Sequence, residues 1–137
     1  MSNTQIKSPS FIAVDFDGTV VTHEYPRIGV PVPNAIETLK KLQAAGHRII
    51  LYTMRSKKEL YEAVSYLHDN GISLFGVNGN PTQQTWTSSP KVYAHLYIDD
   101  AALGTPLTYD PALSIDNNRE YVNWYIVESI LKQQNYI

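Results

Sequence analysis

Apolar residues gather along this chain in short dense runs, separated by stretches in which they recur every three or four positions. Phe11, Ile12, Ala13 and Val14 form the first run, too brief for an amphipathic helix and dense enough for a buried strand. Residues 22–33, THEYPRIGVPVP, hold three prolines and a glycine and predict an irregular flap or short hairpin. In NAIETLKKLQAAGH, Asn34 can cap, Glu37 follows three residues later, Ile36, Leu39 and Leu42 share a face, and Gly46 suits the end, which together predict a first helix. Arg48 to Thr53, RIILYT, is a second strand ending in a small polar residue. Ser56 and Glu59 form a capping-box pattern before Leu60, Ala63, Val64 and Leu67, and Gly71 stops this second helix. Ile72 to Val77 and Val92 to Ile98 predict strands three and four, the latter running into Asp99 and Asp100. The PLTY segment from Pro106 predicts a short fifth strand. A last helix is predicted from about Asn118 to Gln134, with Val122, Tyr125, Ile126 and Ile130 toward the core and Trp124 near its edge.

Strands alternating with helices of this length imply right-handed crossovers. The expected fold is α/β: a three-layer, Rossmann-like parallel sheet with helices on both faces. A chain of 137 residues is most simply one domain, residues 1–137. The formal charge of -2 lacks the basic excess of a general nucleic-acid binder. The sequence holds no cysteine, so disulfides, thiolate zinc sites and a Cys nucleophile are out. The opening MSNTQIKSPS lacks the apolar core of a signal peptide, and no run reaches membrane-spanning length, so the expected location is the cytoplasm.

The chemistry gathers where strands end. In an open parallel sheet ligands bind beyond the carboxyl ends of the strands. Strand one delivers Asp15, with Asp17 two residues on; strand two delivers Thr53; strand four delivers Asp99 and Asp100. Carboxylates roughly 5 Å apart repel by about 3 kcal/mol at an effective dielectric near 20, so such a cluster calls for a divalent cation. An all-oxygen donor set favours a hard ion, and Mg²⁺ shares its shell readily with phosphate. Thr53 and the amides of Met54 and Arg55, which precede helix two, and Lys91 suit a phosphoryl group. A carboxylate nucleophile, a metal, amide donors and a lysine describe phosphoryl transfer.

Four motifs then fall in order. Val14-Asp15-Phe16-Asp17-Gly18-Thr19-Val20 is a hydrophobic strand running into DxDGT, Ile49-Ile50-Leu51-Tyr52-Thr53 a strand ending in threonine, Lys91 a basic residue, and Tyr97-Ile98-Asp99-Asp100 an acidic pair closing a strand. Over residues 11 to 100 the sequence resembles the haloacid dehalogenase-like hydrolase superfamily, most of whose members are Mg²⁺-dependent phosphatases. The resemblance implies that Asp15 attacks phosphorus and becomes a phosphoaspartate, and that Asp17 protonates the leaving oxygen and later activates water. It implies Mg²⁺ held by the Asp15 carboxylate, the Asp17 carbonyl and Asp99, with Asp100 a second candidate. Thr53 and Lys91 would hold the phosphoryl group, Gly18 would let the chain turn, and Thr19 would brace that turn.

Plainer readings were weighed beside these. Thr53 can simply cap helix two, Lys91 can be a solvated loop residue, and Arg55 can be an ordinary surface arginine or reach toward phosphate or flap. His95, placed mid-strand, reads as a satisfied core histidine. A receiver-type signalling module would carry its phosphoacceptor at the end of strand three, where GVNGN offers no Asp. A non-catalytic binding domain would lack Asp15 or Asp17, and neither is missing. Dehalogenases and phosphomutases on this plan usually carry a cap, and the glycine-rich loop of nucleoside triphosphatases is absent.

Neither the flap from about Val20 to Val32 nor the loop from Asn78 to Pro90 is long enough to be a cap domain. The crevice is therefore expected to be open unless a second copy of the chain covers it. The substrate is a phosphorylated compound of unspecified class. The rim residues positioned to choose it are His23, Tyr25 and Arg27 on the flap and Gln83, Gln84 and Trp86 on the loop.

Overall fold

The computed structural model describes residues 5–113 and 118–137. The opening polar segment falls partly outside them, in residues 1–4. Four short strands, β1 (Phe11–Val14), β2 (Arg48–Leu51), β3 (Leu74–Val77) and β4 (Leu96–Ile98), form a parallel sheet in the order β3-β2-β1-β4. Val14 pairs with Leu51 on one side and Ile98 on the other, so β1 lies at the centre and its tip is flanked by both neighbours. The fold is the expected α/β class, and the described residues contain no separate cap.

The strand runs are apolar on both sides because both sides are covered, but by different things. Helices α1 (Ala35–Ala44), α2 (Lys57–Asp69) and α3 (Trp124–Gln133) bring Leu39, Leu42, Ala63, Leu67, Trp124, Val127 and Leu131 into one core with Ile12, Val14, Ile49, Leu51 and Ile98. Ala13 and Ile50 alternate to the opposite face and are just as buried. The right-handed rule puts the β3-to-β4 crossover there, since α1 and α2 lead outward in one direction and this connection leads back. Its regular structure among the described residues is one 3-10 turn, Gln83–Thr85, in place of the α-helix expected on that face. Gln83 takes over the organising: its amide nitrogen donates to Ser89 O and Lys91 O (3.0 and 2.6 Å), and its oxygen accepts the Tyr93 N–H (2.8 Å).

Several ends move from their predicted places. Residues 92–95 are not in β4; His95 lies exposed before the strand, its Nδ1 accepting the Phe11 N–H (2.9 Å). The PLTY segment does form a strand, β5 (Leu107–Thr108), but it pairs antiparallel with β6 (Tyr121–Val122), apart from the main sheet. The predicted last helix therefore starts six residues late, at Trp124, and its buried residues are Trp124, Val127 and Leu131, while Tyr125, Ile126 and Ile130 face outward. Neither Asn34 nor Ser56 makes a side-chain cap bond. Asn34 instead donates to Glu128 Oε1 on α3 (2.9 Å), tying the two helices together.

Candidate active site

Beyond β1 the backbone stays in the sheet for one more bond, Asp15 N–H to Ile98 O (3.0 Å), and then folds back so that Thr19, Val20 and Val21 all direct their N–H groups at Phe16 O. The reversal needs Gly18, at φ +81: a Cβ there would lie 1.9 Å from His23 Nε2 and 2.7 Å from Asp100 Oδ2. The loop is then pinned from the C-terminal part of the chain. Val122 N–H donates to Gly18 O (3.0 Å), and the fully buried Trp124 donates its indole N–H to Thr19 O (2.6 Å).

One oxygen each from Asp15, Asp99 and Asp100 lies within 4.8 Å of the others. Thr19, itself buried, links two of them: its hydroxyl donates to Asp15 Oδ2 (3.0 Å) and accepts the Asp100 N–H (3.2 Å). The Asp99 carboxylate turns back to accept Ala101 N–H (2.9 Å). Burial, the Asp100 hydrogen bond and the charge of Asp99 raise the Asp15 carboxyl to about 8. Burial pushes Asp100 the same way, but hydrogen bonds to His23 and Asp15 outweigh it and leave Asp100 below the usual range. His23, expected on the flap's outer rim, is folded inward with Nε2 2.8 Å from Asp100 Oδ2.

Asp17 stands apart from the triad because its side chain belongs to Arg55. Nε donates to Asp17 Oδ2 and Nη2 to Asp17 Oδ1, both at 2.8 Å. The remaining three hydrogens go to the flap carbonyls of Arg27 (2.7 Å) and Pro26 (3.1 Å) and to Glu59 O (3.3 Å). All five guanidinium donors are used, and the residue is 2 % exposed, its carbon 5.1 Å from the ring centres of both Phe16 and Tyr25. Of the roles expected at Arg55, surface residue, phosphate contact or flap contact, the structure shows the flap contact, with the Asp17 pair added to it. A bidentate fork on a carboxylate is the strongest common charge-assisted pair, and here it also fixes the flap.

Thr53 follows β2 with its N–H on Asn78 Oδ1 (2.8 Å), and its hydroxyl oxygen accepts the Arg55 N–H (3.1 Å), leaving the hydroxyl hydrogen to donate elsewhere. α2 begins at Lys57, so Met54 and Arg55 precede it and Arg55 is not on its first turn; Met54 is wholly exposed. Lys91 Nζ sits 5.8 Å from the Tyr97 ring centre. Tyr25 is exposed beside Arg55, and Arg27 Nη2 lies 3.7 Å from Glu24 Oε2. Trp86 packs edge-on to Tyr93. Sequence reasoning missed Asn78, which orients Thr53, and the Arg55 clamp; the only sequence signal for the clamp was a charge two residues after a strand-ending threonine.

A family model described as haloacid dehalogenase-like hydrolase matches residues 12–127. The chain belongs to this family. It is also similar to a solved structure, that of a conserved protein from Bacteroides thetaiotaomicron, at 36% identity and a TM-score of 0.73 over 93% of each chain. No curated protein matches. In this haloacid dehalogenase-like hydrolase the acidic triad suits a divalent cation on its own chemistry. Its donors are hard oxygens, and in the metal-free triad a proton on Asp15 relieves a repulsion that a cation would relieve instead. Among the described residues no helix is long and apolar enough to cross a membrane.

Proposed function

We propose that this hydrolase is a Mg²⁺-dependent phosphomonoesterase working through a phosphoaspartate on Asp15. The observation that carries the reading is the convergence of the Asp15, Asp99 and Asp100 carboxylates at the tip of the central strand. The side chains of these three residues, with the Asp17 carbonyl, would hold the ion. When bound, Mg²⁺ would neutralise the carboxylates and draw charge from the phosphoryl oxygens, freeing Asp15 from its proton.

Asp15 then attacks phosphorus, the ester P–O bond breaks, and the leaving oxygen takes a proton from Asp17. In the second half a water attacks the phosphoaspartate and gives a proton to Asp17; phosphate departs and Asp15 is regenerated. Thr53 and Lys91 steady the phosphoryl oxygens. Both oxygens of Asp17 accept from Arg55, so both are occupied while the fork is closed and neither is free to face the leaving oxygen. The fork must therefore slide or open as substrate enters, and since it also holds the flap, substrate entry and acid delivery are coupled.

The test is release of inorganic phosphate from a panel of phosphomonoesters with Mg²⁺ and with EDTA, together with trapping of the acid-stable phosphoenzyme. Hydrolysis that EDTA stops and Asp15→Asn abolishes is expected. EDTA-resistant turnover, or full activity in Asp15→Asn, overturns the proposal.

A further inference from the structure

We propose that the face of the sheet opposite the helices carries a nucleobase subsite, so that the phosphomonoester consumed is a nucleoside monophosphate; this rests on the phosphomonoesterase reading above. Residues two apart on a strand point to the same side. The row that ends in Asp15 and Asp99 therefore continues backward through Ala13 and Tyr97, and from the neighbouring strand through Tyr52. Tyr52 and Tyr97 come from either side of β1, and their rings lie 6.3 Å apart. They are 40% and 38% exposed, because the crossover that covers this face is a loop with one 3-10 turn instead of a helix.

Between that loop and β4 lies a groove of about 300 Å³ whose walls include Trp86, Tyr93, Tyr97 and Lys91. Trp86 is 61% exposed yet held perpendicular to Tyr93 at 5.3 Å, so a large ring is presented to solvent in a fixed pose. Lys91, in the wall of the same groove, holds its Nζ 5.8 Å from the Tyr97 ring centre. Tyr97 and Asp99 are separated by about 6.7 Å along the backbone, a gap one pentose bridges. Phosphate at Asp15 thus puts a base on the aromatic surface, where stacking requires only a planar π-face. A bare sugar phosphate would meet rings where it needs hydrogen-bond donors and acceptors. A polynucleotide would meet a chain of net charge -2, which offers little to a phosphate backbone.

The chain has two tryptophans, and the other, Trp124, is fully buried behind the Asp15 loop, so a nucleotide response that Trp86→Phe removes is assigned to Trp86. Adenosine 5′-monophosphate and ribose 5-phosphate, with Mg²⁺, are compared on the Asp15→Asn variant, which binds without turnover. The nucleotide is expected to quench the emission, ribose 5-phosphate to leave it, and Trp86→Phe to remove the response. In hydrolysis by the otherwise unmodified chain, kcat/KM for the nucleotide should exceed that for ribose 5-phosphate at least about tenfold, and that ratio should collapse in Trp86→Ala. Quenching without hydrolysis of any phosphate would keep the subsite and remove the phosphomonoesterase reading. Hydrolysis of other phosphates with no quenching by the nucleotide, or an unchanged ratio in Trp86→Ala, would overturn the subsite and leave the phosphomonoesterase standing.

Discussion

Asp15 carries two consequences at the scale of a single residue. With a carboxyl near 8 against an ordinary 3.8, the folded chain binds a proton that the unfolded chain has released between those values. Stability without a divalent cation should therefore fall as pH rises from about 4 to 8. The melting temperature measured in EDTA at pH 5.5 and 8.5 should drop by at least about 4 °C. Asp15→Asn should abolish that drop, and Mg²⁺ should reverse it, less so in Asp99→Asn or Asp100→Asn. Equal slopes in the wild type and Asp15→Asn would place the buried proton elsewhere. Arg55 supplies the second test. Arg55→Lys keeps a charge but loses the fork, so Asp17 is poorly aimed. The loss in kcat/KM should grow from phosphates of acidic alcohols to those of alkyl alcohols, which depend most on protonation of the leaving oxygen. A uniform loss across the series would make Arg55 merely structural. The identities of Asp15, Asp17, Asp99, Asp100 and Thr53 were legible because they terminate apolar runs, whereas Arg55 was not. Its five acceptor atoms come from three separate stretches of chain, around Asp17, Pro26–Arg27 and Glu59, and no local pattern announces a donor satisfied in that way.

Helices and strands show the same division. The strand centres were readable from dense apolar runs, while their ends followed from pairing that the sequence does not display. β4 is short because residues 92–95 serve the crossover loop, and β6 exists because Tyr121 and Val122 find partners in β5 and Gly18. An apolar residue such as Val122 looks the same in a helix or a strand. The helices meet through Glu128, which accepts from Lys41, Asn34 and Lys132 and is thereby lowered to about 2. A depressed carboxyl stabilises the fold above its ordinary 4.5 and stops doing so as pH falls through about 2. Both lysines are half-exposed, which screens the pair, so Glu128→Gln should cost about 1 kcal/mol at pH 7 by urea unfolding. The difference should vanish near pH 2; a cost that persisted there would trace to packing, not charge.

Among the described residues the molecule is lopsided, with three helices on one face of a small sheet and a lightly structured loop on the other. The core beneath α1 and α2 was foreseeable from helical periodicity, whereas the buried face of α3 was not. The thin side was not, since a loop rich in Gln, Ser and Thr gives no periodic signal for covering anything. The loop after Asp15 is closed by residues more than a hundred positions away, Val122 and Trp124. Trp124→Phe keeps the ring but removes the donor to Thr19 O, leaving a buried carbonyl unpaired. It should cost about 1–3 kcal/mol and weaken Mg²⁺ binding, read as a smaller melting shift per unit of ion. Unchanged Mg²⁺ affinity in that variant would show that the acidic triad holds its shape unaided.

That long-range closure also sets an order of events during synthesis. Every residue assigned to chemistry has been made by position 100, yet the two groups that hold Gly18 and Thr19 in place come more than twenty residues later. At roughly 5–20 residues per second a ribosome takes about 1–5 s to cross that interval. During those seconds the nascent chain carries Asp15, Asp17, Asp99 and Asp100 and none of the strap that holds the Asp15 loop in place. A polypeptide stalled there should neither retain Mg²⁺ nor release phosphate, so catalytic competence is a property acquired only after the residues that confer it have long left the peptidyl-transferase centre.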